Sequence, residues 1–488
     1  MLSVNEIKRF IDEDSTSEKK RFASVGEAYY EGRHDIYKTR FFAIDKDGNL
    51  YEDKIRANTR IAHTFFQELA DQLTYYLLSS DENPIRAKDN VEGLQEHLDK
   101  YFNKAFWVEI GELVKDAYTK GFGYLYAYKN KLDRLVFECA DSMGVVEVRE
   151  KDTDDGCKYI IYWYVDRIEK GKKQIRRIQV WNDTETHYFV QSGANGKIVS
   201  DTSVEINPRP HVVYTDKKTG KKMGYPLGYI PFWRLDNNRK QISGVKPIKD
   251  LIDDYDLHAC SLSNNLIDFD NPIYSVRGFQ GDDLDELSLN LKTKKTIGVD
   301  SDGGVEVQTV DIPYQARKEK LQIDKESIYQ FGFGLNTTGL RDTNATTNIA
   351  IKQAYSLLDI KANKMEDSLQ ALLESLLEAV LDEINKANEK DYSLSDIKFD
   401  FKRNIMANET ENIQNEKVKA ETKQLEINTI LNVAAQIGDE QALKLICEQL
   451  DIDFDEVKVE LDKLNEERNA LAGAQNALNN VIPEEDMV

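Results

Sequence analysis

The sequence predicts an α+β protein in which long helices and an antiparallel sheet occupy different parts of the chain. Three stretches carry this prediction: an amphipathic helix at 245–269, alternating aromatic and β-branched residues at 124–214, and a second long apolar helix at 349–390. Helical spacing of three and four residues and strand spacing of two residues do not overlap. Such separation is typical of the α+β class.

The helix at 245–269 combines one apolar stripe with an acidic start. Ser243 can cap its first turn, and Asn271-Pro272 ends it. At 1.5 Å per residue it is a rod about 37 Å long, which is typical of a helix in a bundle. Its apolar residues follow helical spacing: Ile248, Leu251, Ile252, Tyr255, Ala259, Leu262, Leu266 and Phe269.

Four aspartates, Asp250, Asp253, Asp254 and Asp256, lie in the first turns of this helix. They allow two interpretations. The positive end of the helix dipole favours acids at a helix start, and clustered carboxylates can also form a metal-dependent nuclease site. Their spacing distributes them around the helix, which favours the first interpretation.

The residues before the sheet predict helices. Residues 1–25 fit a short amphipathic helix followed by a polar tether, 58–79 fit a helix with one buried face, and 94–120 fit a further helix. Strands at 124–130, 134–140, 144–150, 159–165, 174–182 and 186–191 then predict one antiparallel meander.

A basic turn closes this region. Lys217, Lys218, Lys221 and Lys222 surround Gly220, as at the tip of a hairpin. Such a tip could touch nucleic acid or consist of solvated turn lysines, and the second interpretation is favoured.

After the long helix, 273–313 predicts short strands with a helix at 282–290 and a turn at Asp302–Gly304. A helix at 314–333 would return beside the first, which makes a stalk with a small α/β cap. A polar loop at 332–348 then leads to the helix at 349–390, a strand at 397–401 and helices at 405–431, 434–450 and 454–471. The polar tail, 476–488, is expected to be disordered.

Composition limits the function. At 488 residues the chain should form about three domains or subdomains. A net charge of −22 argues against binding that neutralises phosphates, but it suits a wall that repels DNA. The four cysteines show no CxxC spacing, no signal peptide is evident, and no run reaches the roughly 18 apolar residues of a membrane span. We therefore expect a soluble protein made in a cytoplasm.

Catalytic and metal-binding motifs are absent from the sequence. It contains neither a phosphate-binding GxxxxGK[ST] loop nor a GxSxG elbow, and its six histidines never pair at i,i+4. Asp45–Gly48 and Asp152–Gly156 resemble half of a calcium loop, but both lack the closing glutamate and are typical of hairpin turns. We expect no enzymatic activity, no cofactor and no metal.

Three short stretches resemble the portal proteins of siphophages that infect Gram-positive hosts. The first comprises Ile230-Pro231, Asn237-Asn238, 251–256, Ser263 and Asn265. The second, 29–36, is similar to the opening motif of that family. The third, 345–352, is similar to its "ASGVALK" stretch, with Thr347-Asn348 in place of Ser-Gly.

This resemblance implies the phage portal fold, with a mixed wing, long stem helices, a small α/β clip, a helical crown and assembly into a ring. The implied boundaries are 1–240 for the wing, 241–270 for the stem helix, 271–312 for the clip, 313–334 for the second stem helix, 335–400 for the tunnel loop and long wing helix, 401–475 for the crown, and 476–488 for the tail.

The resemblance also implies a function and partners. The protein would form the dodecameric DNA channel at one capsid vertex of the virion and guide genome packaging and ejection. Expected partners are the large terminase, a head-completion or adaptor protein, and the scaffolding and major capsid proteins. Double-stranded DNA would pass through the channel without sequence specificity, and a membrane is not expected.

Candidate residues follow from the same resemblance. Those of the channel and stem are Asp250, Asp253, Asp254, Leu251, Tyr255 and Leu262. Those of the tunnel loop are Leu335, Asn336, Thr337, Thr338, Gly339, Leu340, Arg341, Asp342, Thr343 and Asn344. Those of the clip are Arg277, Asp282, Asp283, Glu286, Lys292, Lys294 and Lys295.

Two other hypotheses are from different classes. A nucleic-acid enzyme or motor whose catalytic residues meet only in three dimensions would hydrolyse ATP as a purified protein. A helical scaffold or adaptor without a channel would form fibres or small bundles instead of rings.

Overall fold

The computed structural model describes two compact units, and α+β is confirmed as the fold class. By residue contacts, Met1–Asp342 and Lys352–Ile405 form one unit, and Thr343–Ile351 and Met406–Val488 form the other. The described residues are 1–464 without 55, 81, 89–90, 131–133, 150–155, 171–172, 194–195, 216–221, 269–272, 280–282, 284–286, 288–297, 309–312, 338–347, 405–408, 451, 453, 455–456 and 462. The expected disordered tail lies outside these residues.

Two capped helices open the first unit. Helix α1 (Val4–Ser15) begins with a capping box between Ser3 and Glu6. Ser17 then accepts a hydrogen bond from the Lys20 N–H and starts α2 (Glu18–Tyr30). The predicted polar tether is therefore wrong, because Ser17 supplies a second N-cap where a linker was expected.

The next helices begin later or break earlier than the sequence predicts. Helix α3 is Phe65–Leu77, and residues 58–64, which were expected to belong to it, are not helical. The helix expected at 94–120 is two helices, α4 (Leu94–Tyr101) and α5 (Lys104–Lys120). The break occurs because Asn103 Oδ1 accepts the Ala105 and Phe106 N–H groups and caps α5.

The six strands predicted between 124 and 191 form, but in two sheets. One has the order β14-β4-β5, with β4 (Phe122–Lys129), β5 (Leu135–Ala140) and β14 (Phe232–Asp236). The other is the meander β6 (Val145–Val148), β7 (Tyr159–Glu169), β8 (Lys173–Trp181), β9 (Glu185–Ser192) and β10 (Ile198–Ser200), with β11 (Arg209–Pro210) beside β9. The single-meander prediction is wrong because β4 pairs with the distant β14.

The two N-terminal helices cover these sheets. Ile7 of α1 packs in a core with Ile161, Ile178 and Phe189 of the meander. Ala23 of α2 belongs to a second core that draws residues from both sheets, including Phe122, Tyr124, Ala140, Val145, Ile160 and Trp181. Burial of these side chains holds these sheets and helices together.

Short antiparallel strand pairs complete this region. They are β1 (Phe42–Ile44) with β2 (Leu50–Glu52), β12 (Val212–Thr215) with β13 (Lys222–Tyr225), and β3 (Ile85–Ala87) with β17 (Ile397–Phe399). Asp45 Oδ1 accepts the Asp47 and Asn49 N–H groups in the β1–β2 turn, so this half calcium loop is a hairpin turn, as predicted. The basic tip at 217–221 and the loop at 152–155 fall outside the described residues.

The long helix α6 (Lys249–Asp268) begins later than predicted. Ser243 Oγ donates to the Thr119 carbonyl at 2.5 Å and accepts the Val245 N–H at 3.2 Å, and turns precede the helix. Ser243 therefore links the approach to α6 with the end of α5, and it is not the N-cap.

An antiparallel strand pair and a returning helix follow. They are β15 (Ile273–Phe279), β16 (Val299–Gln308) and α7 (Tyr314–Phe331). The turn expected at Asp302–Gly304 is wrong: these residues lie in β16, where Gly304 pairs with Arg277 next to a register shift at Gly278, whose φ is 68°. Of the helix expected at 282–290, Leu287 is described as helical.

Helix α8 (Asn348–Asn388) is the long apolar helix that the sequence predicts. In the second unit, α9 (Glu409–Ile437) is followed by α10 (Asp439–Leu450). The break expected before Ala434 occurs at Gly438, whose φ of 90° ends α9. Of the helix expected at 454–471, residues 454, 457–461 and 463–464 are described as helical.

Candidate functional site

Helices α6 and α7 lie side by side and antiparallel. Gly244 and Pro247, just before α6, border the same cavity of about 400 Å³ as Phe331 at the end of α7. One turn into α6, Asp254 forms an ion pair with Lys320 of α7. The returning helix expected from the sequence is therefore present.

The acidic start of α6 is tied to the N-terminal region. Lys249 Nζ lies 2.6 Å from Asp253 Oδ2 and 2.6 Å from Asp35 Oδ2, and the Tyr29 hydroxyl donates to Asp253. Hydrogen bonds from Lys249 and Lys38 lower the pKa of Asp35 to about 2. These contacts keep Asp35 ionised and join α6 to the end of α2 and the 3-10 turn after it.

Asp256 is a fully buried carboxylate between two histidines. His34 Nδ1 lies 2.7 Å from Asp256 Oδ2, and His63 Nδ1 lies 2.8 Å from Oδ1, which also accepts the His63 backbone N–H at 2.9 Å. Burial acts to raise the pKa of Asp256, but the hydrogen bonds from His34 and His63 outweigh it and hold the pKa below its ordinary value. The ring of Tyr29 stacks on His34 with the centroids 4.5 Å apart.

Residues 57–63, here called the strap, run antiparallel along α6. Alternate backbone N–H groups of the strap donate to side chains spaced four residues apart on the helix: Ala57 to Asp268 (2.9 Å), Thr59 to Asn264 (2.6 Å), Ile61 to Cys260 Sγ (3.2 Å) and His63 to Asp256 (2.9 Å). Four helical residues rise about 6.0 Å, and two residues of nearly extended chain span about 6.6 Å, so the two repeats match.

The face that α6 buries within its own chain is therefore largely polar. Its buried helical residues are Ile252, Asp256, Cys260 and Asn264. Of the predicted apolar stripe, Leu251, Tyr255 and Leu262 are only half-buried. Leu266 of the same stripe is 54% exposed, so this apolar flank remains partly open. Leu257 and Ile267, which are 43% and 56% exposed, lie at other positions around the helix.

The helix-start explanation of the acids holds for Asp250, which is exposed in the first turn. It is insufficient for Asp253, Asp254 and Asp256, because each has a specific partner on another element. Among the described residues, no group of three or more acidic, histidine or cysteine side chains is arranged to hold a metal ion.

The start of the predicted tunnel loop is anchored. Leu335 is buried, its N–H donates to Gln72 Oε1 of α3 at 2.9 Å, and Gln72 Nε2 donates back to its carbonyl at 3.0 Å. Lys361 of α8 donates to the Gly332 carbonyl at 3.1 Å. Asn336 and Thr337 are half-buried, and Thr338 to Asn344 lie outside the described residues.

Two of the predicted clip residues are described. Arg277 on β15 forms an ion pair with Glu306 on β16 at 3.3 Å, and Asp283 is exposed. Asp282, Glu286, Lys292, Lys294 and Lys295 lie outside the described residues.

Sequence reasoning missed the residues that hold the strap. Periodicity analysis scores apolar side chains, so it passed over Asn264, Cys260 and the two histidines that bond to Asp256. The usable signal was the polar or small series Asp256, Cys260, Asn264 and Asp268, which places one hydrogen-bonding side chain on the same helix face at every turn.

Comparison with known proteins gives the class first: it is a portal protein, a structural component of bacteriophages. A family model described as "Phage portal protein, SPP1 Gp6-like" matches residues 8–468. The chain therefore belongs to the SPP1 Gp6-like family of phage portal proteins.

Two relatives support this assignment. The portal protein of Bacillus phage SPP1 is 25% identical over 394 residues, which cover 80% of this chain and 75% of the relative. The portal protein of Clostridium phage phiCD119 is 24% identical over 431 residues, which cover 84% and 88%. Both phages infect Gram-positive hosts, as the motif resemblance implied. Among the described helices, none has the length and apolar character needed to cross a bilayer.

Proposed function

We propose that copies of this chain assemble into a dodecameric ring at one vertex of the phage capsid and form the channel for DNA packaging and ejection. The observation that carries the proposal is the division of α6 into two faces. Polar partners complete one face within the chain, whereas a second, apolar flank is half-buried at Leu251, Tyr255 and Leu262 and exposed at Leu266. Neighbouring copies would cover this flank, and the family assignment makes a ring the natural closed assembly.

Helices α6 and α7 form the middle of the channel wall in this proposal. The ion pair of Lys320 with Asp254 joins the two helices, so each subunit contributes them as one unit. Exposed acids such as Asp250, together with a net charge of −22, offer DNA phosphates few partners. DNA would slide past such a wall without being held.

The segment 335–344 is the tunnel loop in this proposal and sets the narrowest point of the channel. Bonds to Gln72 and Lys361 fix the chain just before it, so movement of the loop would be passed to α3 and α8. The clip, represented by Arg277 and Asp283, would dock the terminase motor and then the head-completion protein. Scaffolding and major capsid proteins would contact the assembled ring in the host cytoplasm and in the virion.

Native mass spectrometry and negative-stain microscopy of the purified full chain test the proposal. Closed rings with a central hole are the expected result. A persistent monomer, or fibres and small bundles, would contradict it; the latter would favour the scaffold hypothesis. ATP hydrolysis by the pure chain would instead favour the motor hypothesis.

The loop assignment has its own test. Deletion of Gly339–Asn344 should leave rings intact and reduce packaged DNA in a phage complementation assay. Replacement of the same six residues by a Gly-Ser linker is the matched control for loop length. Normal packaging by the deletion variant would remove the tunnel-loop assignment while leaving the ring in place.

A further inference from the structure

The β1–β2 hairpin carries an apolar face that its own chain leaves open. Phe42 pairs with Glu52 and Ile44 with Leu50 in the strand register, so Phe42, Ile44 and Leu50 point to one side. Their exposures are 58%, 70% and 67%, respectively. These three residues are here called the hairpin face.

A small sheet with an uncovered apolar face is an unusual element in a free subunit. Two strands joined by a tight turn are marginally stable in water without packing on one side. Contiguous exposed apolar side chains mark surfaces that bind another molecule. The hairpin face is therefore expected to gain its packing from a partner.

The hairpin is held in a defined place. The Asp53 N–H donates to the Phe41 carbonyl at 2.9 Å and closes the strand pair. Arg56 lies over the Phe41 ring at 4.6 Å and 3.8 Å from Asp268, and the Ala57 N–H donates to Asp268. The strap thus fixes the hairpin beside the C-terminal end of α6.

A second open apolar patch lies at the same end of α6. Leu266 and Ile267 precede Asp268 and are 54% and 56% exposed. Rotation about the axis of a ring does not change the height of a residue along that axis. The hairpin of one subunit and Leu266 and Ile267 of the next are therefore at similar heights in a ring whose axis runs along these helices.

We propose that the hairpin face of each subunit docks on the Leu266–Ile267 patch of the neighbouring copy. This proposal rests on the ring proposed above and assigns the residues of one of its contacts. The contact is heterologous, because hairpin and helix are different surfaces, and such contacts close into rings. The strap holds each hairpin to the α6 of its own subunit, and the hairpin face would contact the α6 of the next subunit.

The first test removes the hairpin face. The triple variant Phe42→Ser, Ile44→Ser, Leu50→Ser should raise the dissociation constant of the ring contact about a hundredfold, as judged by native mass spectrometry over a concentration series. Its thermal unfolding as a monomer should match that of the unchanged chain, because these side chains are exposed. Ile168→Ser, on β7 and 67% exposed, is the matched control and should leave ring stability unchanged.

The second test locates the partner. With the photo-crosslinker p-benzoylphenylalanine in place of Phe42, illuminated rings should yield a ladder of covalent multimers on a denaturing gel. Mass spectrometry should map the adduct to the peptide that contains Leu266 and Ile267. Adducts within one chain, or with a different surface of the neighbour, would overturn the proposal.

The two proposals fail in different ways. Wild-type rings together with unweakened triple-variant rings would overturn the hairpin contact and leave the channel function intact. Absence of rings from the wild-type chain would overturn both proposals, since the hairpin would then have no neighbouring copy to contact.

Discussion

The two long helices α6 and α8 are buried by opposite chemistry. Helix α8 buries a continuous apolar stripe that includes Leu358, Met365, Leu369, Leu373, Leu376, Leu377, Val380 and Ile384. Helix α6 turns Asp256, Cys260 and Asn264 inward and leaves Leu262 half-buried and Leu266 54% exposed on another flank. Helix α8 is covered by its own chain, whereas α6 keeps a partly open apolar flank that other copies would cover in the proposed ring.

The difference shows how one chain separates folding from assembly. Apolar burial is non-directional, so α8 can form a core with many neighbours. Hydrogen bonds are directional, so the polar face of α6 fixes one partner, the strap, in one register. The apolar side chains of α6 remain available without loss of a defined fold, and substitutions should affect the two helices differently.

The largest loss of chain stability should follow Asp256→Ala. The variant leaves His34, His63 and the His63 N–H without their buried acceptor, and we expect a loss of about 3–5 kcal/mol in the free energy of unfolding. Chemical denaturation of the monomer measures this loss. Asp250→Ala, in the exposed first turn of the same helix, is the control and should cost about 1 kcal/mol or less.

The contribution of Asp256 to the free energy of unfolding should depend on pH. The folded-state pKa of Asp256 is lowered, so its contribution is fully present above the unfolded value of about 3.9 and is lost as pH falls through the lower folded value. The stability gap between the unchanged chain and Asp256→Asn should therefore be largest near neutral pH and narrow below about pH 4. An equal gap at pH 7 and pH 3 would contradict the assigned charge state.

A loss of similar or slightly smaller size should follow Leu373→Ala on α8. Leu373 is fully buried, and its truncation should cost about 2–4 kcal/mol by removing apolar contacts and leaving a cavity. Ile360→Ala, at a 45% exposed position of the same helix, should cost much less. Equal losses of unfolding free energy at the two positions would contradict the assignment of Leu373 to the buried apolar stripe of α8.

An intermediate loss should follow Asn264→Ala. The Thr59 N–H would lose its side-chain acceptor, at a cost of about 1–2 kcal/mol. Asn265→Ala, one residue away, makes the same chemical change without removing an acceptor of the strap. Hydrogen exchange should speed up at Thr59 in the first variant only.

The smallest effect on the single chain, and the largest on assembly, should follow Ile267→Lys. The side chain is 56% exposed, so the unfolding free energy of the monomer should change by about 0.5 kcal/mol or less. A charge placed in the neighbour contact should prevent rings. Rings of normal stability would show that Ile267 lies outside the contact between neighbouring copies. Ile267→Met is the control that keeps the site apolar.

Much of the fold could be predicted from the sequence because most of its elements follow simple periodicity. The strands from Tyr124 to Gln191 and the helix after Ile349 alternate or repeat as apolar packing requires, and both appear in the structure. The break at Asn103 and the second start at Ser17 depend on single caps, which compete with an otherwise continuous helical pattern.

The candidate site was harder to predict because its inner face is polar. The apolar spacing of α6 indicated the correct helix but the wrong buried face, since the strap is bound by side chains far along the sequence from it. The pairing of β4 with β14 was missed for a related reason: nothing local to either strand specifies a partner so far along the chain.

The matching repeats of the strap and α6 have an evolutionary consequence. Insertion of a single residue between Ala57 and His63 would put every later N–H out of phase with its acceptor, and an insertion between Asp256 and Asp268 would rotate the remaining acceptors by about 100° away from the strap. Length variation in a lineage of such proteins should therefore accumulate at the Asp45–Gly48 turn, which can lengthen freely, whereas the strap and the helix beneath it can change side chains but not spacing.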